Sequence, residues 1–174
     1  MKKPKIDDPL DSLGAVYETM YEDAAENIHK IKDRSGPLLH DIVDEAKDKI
    51  IKLEEVAEED AEKVSDWLKR DLDDVIQNLS ETDYEVKEWL GFETALIKNE
   101  VIRLLLETAD KTTLEWMRMK DNVHQPSTYH TGEIAGPGTL ICDECGEKLH
   151  FHATAHIPPC PKCNKTEFHR IQIE

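Results

Sequence analysis

Cys142-Asp-Glu-Cys145-Gly146 and Cys160-Pro-Lys-Cys163-Asn164 contain all four cysteines of this chain. They form two Cys-x-x-Cys pairs with fourteen residues between them. A pair at this spacing can close into a tight knuckle that aims both sulfurs at one point. Two such knuckles on adjacent β-hairpins enclose a cation tetrahedrally, the geometry Zn²⁺ takes with four thiolates. A residue with positive φ is needed directly after each pair. Gly146 meets that need best and Asn164 next best. Four protein sulfurs leave no position for water or substrate, so the centre is expected to be closed and structural, with one Zn²⁺ held by Cys142, Cys145, Cys160 and Cys163.

Other uses of these cysteines fit less well. Thioredoxin-type redox chemistry needs one pair at a helix start after a strand, and it leaves the second pair without a role. Two disulfides imply an oxidising compartment, but Met1-Lys-Lys-Pro-Lys-Ile-Asp-Asp has no apolar run to serve as a signal peptide. Iron in a rubredoxin-like site takes the same ligands and stays open at this point. His150 and His152 share one face of an expected strand while Leu149 and Phe151 share the other, a wet face opposite a packed one. With no carboxylate near in sequence to orient them, His150, His152 and His156 are expected to be surface residues rather than a second metal site.

The 174 residues allow one or two domains. The net charge of −16 is unevenly placed. Through Thr128 there are 18 Lys and Arg against 32 Asp and Glu, or −14; from Tyr129 onward there are 4 against 6, or −2. Such a chain is repelled by phosphate backbones, so generic DNA or RNA wrapping is not expected. No apolar stretch approaches the roughly 20 residues needed to span a bilayer. A cytoplasmic setting is expected.

Upstream of the cysteines the pattern is helical. From Pro9 a stripe runs through Leu10, Leu13, Tyr17, Met20, Tyr21, Ala24, Ile28 and Ile31 and stops at Gly36-Pro37. A second stripe, Ile42, Ala46, Ile50, Leu53, Ala57, Ala61, Val64, Leu68, Leu72, Val75, Leu79, repeats in steps of 4, 4 and 3. That eleven-residue period predicts one nearly straight rod of about 57 Å from residue 42 to 79. Its polar face includes Glu54, Glu55, Glu58 and Glu59. Ser80-Glu-Thr-Asp83 predicts a tight reversal, after which a third helix runs from Trp89 through Leu104–Leu106. Asp110-Lys-Thr-Thr-Leu-Glu115 reads as a kink or restart with a capping box. From Tyr129 the period changes to that of short strands: 129–134 and 138–141 around Gly136-Pro137-Gly138, then 149–152 and 168–173.

The expected fold class is therefore α+β: a long antiparallel helical hairpin or three-helix, coiled-coil-like region (residues 9–121), a linker (122–128) and a Cys₄ β zinc ribbon (129–174). The ribbon is too small for a self-sufficient core, so metal binding should supply most of its folding free energy. In this two-module reading, Cys142→Ser unfolds the ribbon and leaves the helical signal largely intact.

Asp110-Lys-Thr-Thr-Leu-Glu-Trp116, Tyr129-His-Thr-Gly-Glu133 and the cysteine quartet together resemble the bacterial YbeL-type family, small alpha-helical zinc-ribbon-containing proteins. The similarity is specific from about Leu105 onward. It implies that the four cysteines are the metal ligands, and it implies no reaction. Asn164 departs from the Gly that commonly follows the second pair.

A closed metal site with no phosphate loop, nucleophile elbow or His-Glu-x-x-His motif predicts a non-enzymatic protein that works through protein–protein contact. The long apolar stripes also allow a homo-oligomer. The alternative is a transcription- or translation-associated factor, because an acidic helical hairpin joined to a Cys₄ module is similar in outline to the DksA-type factors, whose hairpin enters RNA polymerase. In that reading Glu81, Asp83 and Glu85 form the tip. An enzyme using His130, His150, His152 or His156 is the least favoured reading, since no acid–base or nucleophile pair is recognisable.

Overall fold

The computed structural model describes residues 9–27, 39–53, 56–78 and 127–171. Among the described residues, three helices precede an antiparallel β region carrying the clustered cysteines, an α+β architecture. The Gly36-Pro37 stop, the 80–83 reversal, the third expected helix, the restart at Asp110 and the acidic tip all lie outside the described residues.

Helix α1 spans Pro9–Asn27 and buries Tyr17, Met20, Tyr21 and Ala24, at helical spacing. Helix α2 spans Leu39–Lys52 and buries Ile42, Val43, Ala46 and Ile50. Helix α3 spans Glu58–Asn78 and buries Ala61, Val64, Leu68, Leu72 and Val75. The expected rod from 42 to 79 is thus two helices. Lys69 reaches Asp44 at 2.7 Å and Asp73 reaches His40 at 2.7 Å, so α3 folds back antiparallel on α2.

Charge and burial both account for the break. Lys49 and Lys52 lie in the last turn of α2, while Glu58, Glu59 and Asp60 lie in the first turn of α3. Each group sits at the helix end whose dipole favours it. A continuous helix would instead stack Glu54 on Glu58 and Glu55 on Glu59, like charges four residues apart. The stripe also lapses here. Leu53 is 59% exposed and Ala57 is exposed, and the Ala57 carbonyl accepts from the amides of Asp60 and Ala61 to start α3. By folding back, the two halves of the stripe bury each other, and a lone rod would have no partner.

The β region has six short strands: β1 Thr128–His130, β2 Ile134–Ala135, β3 Gly138–Cys142, β4 Lys148–Phe151, β5 Ala155–His156 and β6 Glu167–Arg170. A four-stranded sheet runs in the order β1-β6-β3-β4, and β2 pairs with β5. The strand expected at 129–134 is divided by a turn at Gly132, whose φ is +91°, and the β5 pairing was not expected. Tyr129, Leu140, Cys142, Leu149, Phe151, Ile157, Cys160 and Phe168 form one core, so two of the four sulfurs belong to the ribbon's hydrophobic centre.

Candidate metal centre

Each knuckle is built by the same pair of backbone bonds. In the first, the Cys142 amide donates to Glu147 O at 2.9 Å and the Gly146 amide donates to Cys142 O at 2.9 Å. In the second, Cys160 donates to Lys165 O at 2.9 Å and Asn164 donates to Cys160 O at 2.8 Å. Both turns close on a residue in the left-handed region, Gly146 at φ 71° and Asn164 at φ 58°. Asn adopts this conformation at modest cost because its short amide can bond locally.

The knuckles bring the sulfurs together. Cys142 Sγ lies 3.5 Å from Cys163 Sγ, Cys145 Sγ lies 3.6 Å from Cys160 Sγ, and all four fall within 4.8 Å of one another. Tetrahedral thiolates about 2.3 Å from a zinc ion stand about 3.8 Å apart, so the quartet has the size and shape of a four-sulfur metal site. Cys142 and Cys160 are buried, while Cys145 and Cys163 are half-buried.

Backbone amides address the sulfurs as well. The Glu147 amide bonds Cys145 and the Lys165 amide bonds Cys163. At Cys160, burial opposes the thiolate, but the amides of Cys163 and Lys162, joined by hydrogen bonds from the Cys145 and Cys163 thiols, bring the thiol down to about 7. At Cys163 the Lys165 amide favours the thiolate, yet burial and the three neighbouring sulfurs push the thiol up to about 12. Four crowded thiols cannot all ionise alone. A divalent cation removes the conflict by displacing the protons.

Residues 26–172 match the family described as zinc-ribbon containing domain. The chain belongs to that family. It is 28% identical over 137 residues to "Uncharacterized protein YbeL" of Escherichia coli strain K12, a match covering 76% of this chain and 82% of that one. The YbeL proteins of strains O6:H1 and O157:H7 match to the same extent. No solved structure matches the chain.

The zinc ribbon sets its histidines apart from the sulfurs. His150 is exposed on β4 with Nδ1 2.7 Å from the Thr139 hydroxyl, while Leu149 and Phe151 point inward. His152 is exposed, and His156 Nδ1 lies 3.3 Å from Gly132 O. His130 lies beside Glu133 at 3.3 Å, and His169 pairs with Asp143. Among the described residues, the four cysteines are the cluster arranged to hold a metal ion.

The zinc ribbon is also fastened to α3 by a buried polar network that has no counterpart in the reading from sequence. Asp71 and Asp74 are three residues apart on α3, both buried, on the side that carries Leu68, Leu72 and Val75. Asp71 Oδ2 accepts from the Tyr17 hydroxyl at 2.5 Å and from the Gly136 amide at 2.6 Å. Asp74 accepts from the Tyr129 hydroxyl and, at 3.1 Å, from Ser127. Arg170 of β6 donates to Tyr129 Oη at 2.8 Å, Pro137 O at 2.8 Å and Gly136 O at 3.0 Å. Its guanidinium also lies 3.6 Å from Asp71 and 3.7 Å from Asp74. Arg70 covers the other approach: its guanidinium stacks 3.8 Å from the Tyr129 ring centre, bonds Glu133 and donates to Ile134 O at 3.1 Å. The available signal was two acids inside an apolar helix stripe and an arginine two residues after Phe168, on the inward side of a strand.

Proposed function

We propose that this is a zinc protein with no reaction of its own, which works through contact with another protein. The observation that carries the proposal is the convergence of four thiols into a quartet sized for one four-coordinate ion, which leaves no open position for substrate. Zn²⁺ held there by Cys142, Cys145, Cys160 and Cys163 supplies folding free energy to a ribbon whose core is small. The reading places the protein in the cytoplasm, where thiols stay reduced.

The surface supports a protein partner rather than a nucleic acid. Glu18, Glu22 and Glu26 are exposed at four-residue intervals on α1, and Asp41, Glu45 and Asp48 are exposed on α2. These rows repel phosphate and suit a basic protein surface.

Cobalt substitution tests the absence of a reactive position. A Co²⁺-loaded chain should show a four-thiolate visible spectrum that does not respond to added imidazole, azide or cyanate. A spectrum that shifts with such ligands contradicts a closed site. Affinity capture of the metal-loaded chain then addresses the partner. Recovery of RNA polymerase or ribosomal subunits would specify a transcription- or translation-associated role, and another protein partner the broader one. No enriched protein from any cellular fraction would contradict the interaction role.

A further inference from the structure

Arg170 reaches out of the zinc ribbon into the helices. On its own side it is fixed by the β3–β6 ladder, which pairs Leu140 with Arg170 and Cys142, a member of the sulfur quartet, with Phe168. Its terminal nitrogens are held by the carbonyls of Gly136 and Pro137 in the turn that leads into β3. On the other side it faces two buried carboxylates of α3, Asp71 and Asp74. Arg170 is 4% exposed, and the two acids are 2% and 3% exposed. Buried carboxylates are tolerated where cations and hydrogen-bond donors meet them, and taking one partner away from such a group is costly. Several of these partners come from the ribbon: Arg170, the Gly136 amide and the Tyr129 hydroxyl.

We propose that the sulfur quartet and α3 form one latch, in which metal occupancy of the ribbon keeps Arg170, Tyr129 and Gly136 seated on Asp71 and Asp74, and loss of the metal releases that face of α3 to water. The chain of cause is short. Without the ion the knuckles open, β3 loses the turn that ends it, and the β3–β6 ladder that positions Arg170 goes with it. Asp71 and Asp74 then lose ribbon donors on a buried face of α3. The favourable response is to let water in. Such coupling is reciprocal, so seating on α3 must in turn tighten metal binding. The ribbon is thereby a metal-dependent cover over an acidic, tyrosine-bearing face of the helices.

The latch rests on the metal reading, and hydrogen exchange on the full chain separates the two. Peptides from the ribbon and from residues 66–78 are followed before and after zinc is removed with a chelator. Both should lose protection, the α3 peptide by about 10-fold or more, a usual size for coupling between sites. Loss in the ribbon with α3 unchanged overturns the latch and leaves the metal reading standing. No bound metal, with no response in either peptide, overturns both. Arg170→Met gives an independent arm: zinc affinity, measured by competition with a chromophoric chelator, should fall about 10-fold by the same reciprocity. Unchanged affinity in that variant, with α3 still responding to metal, removes Arg170 from the latch.

Discussion

Arg170 donates from Nε to the hydroxyl of Tyr129 at 2.8 Å, and that hydroxyl in turn donates a hydrogen bond to Asp74 of α3. One phenol therefore joins a ribbon cation to a helix anion, with the Arg70 guanidinium stacked on its ring. Replacing Tyr129 by Phe keeps the ring and removes the bridge. It should cost about 1–3 kcal/mol, because a buried donor and a buried acceptor each lose one hydrogen-bond partner. Urea unfolding of the variant measures this, and a loss below about 0.5 kcal/mol would mean that water replaces the hydroxyl.

Gly138 is required by what lies over it. A Cβ there would meet Arg170 Nη1 at 1.8 Å, and its φ of +142° already disfavours a side chain. Gly132 also has positive φ, +91°, but opens onto free space. Gly138→Ala should therefore lower the melting temperature well beyond Gly132→Ala, with costs of about 3 and about 1 kcal/mol respectively. Equal shifts would show that Arg170 does not occupy that position.

Asp74 gives stability a distinctive pH response. Burial raises its carboxyl to about 6, against the pull of Arg170 and the Tyr129 hydrogen bond. The unfolded chain releases this proton near the usual value of about 3.9, so the folded form holds it more tightly. The resulting contribution is fully present below about pH 4 and is lost as pH rises through about 6. The stability of the wild-type chain relative to Asp74→Asn should fall by about 1 kcal/mol between pH 5 and pH 7. A difference that stays flat or rises over that interval contradicts the assignment. Using the difference between the two chains cancels the titration of other groups, including the thiols.

The break between α2 and α3 can be tested at two leucines that the sequence places in one stripe. Leu53 is 59% exposed and Leu68 is fully buried. Leu53→Glu should change stability by less than about 0.5 kcal/mol, whereas Leu68→Ala should cost about 2–5 kcal/mol. Comparable losses at both positions in denaturant unfolding would restore the continuous rod.

The clustering of the four cysteines could be read from sequence because its requirements are local. Two sulfurs three residues apart, closed by a residue tolerant of positive φ, define a knuckle without reference to the rest of the chain, and Gly146 and Asn164 adopt that conformation. The strand alternation around Leu149 and Phe151 was legible for the same reason. The rod failed because periodicity records which face of a helix is apolar and not whether the helix continues. The 4-4-3 steps run unbroken through Leu53 and Ala57, and it is the clustering of Glu54, Glu55, Glu58 and Glu59 beyond Lys49 and Lys52 that favours two ends. The Asp71–Asp74–Arg170 network joins residues about a hundred positions apart. Spacing along the chain carries no record of such a pairing, although acids within an apolar stripe marked where a partner was needed.

The most direct test of the account is metal analysis of the freshly isolated full chain, made together with a thiol count under denaturing conditions. One zinc ion per chain, and four thiols that react only after the ion is removed, is the predicted result. A chain that carries no metal, or whose Cys142, Cys145, Cys160 and Cys163 are already joined as disulfides, would contradict it.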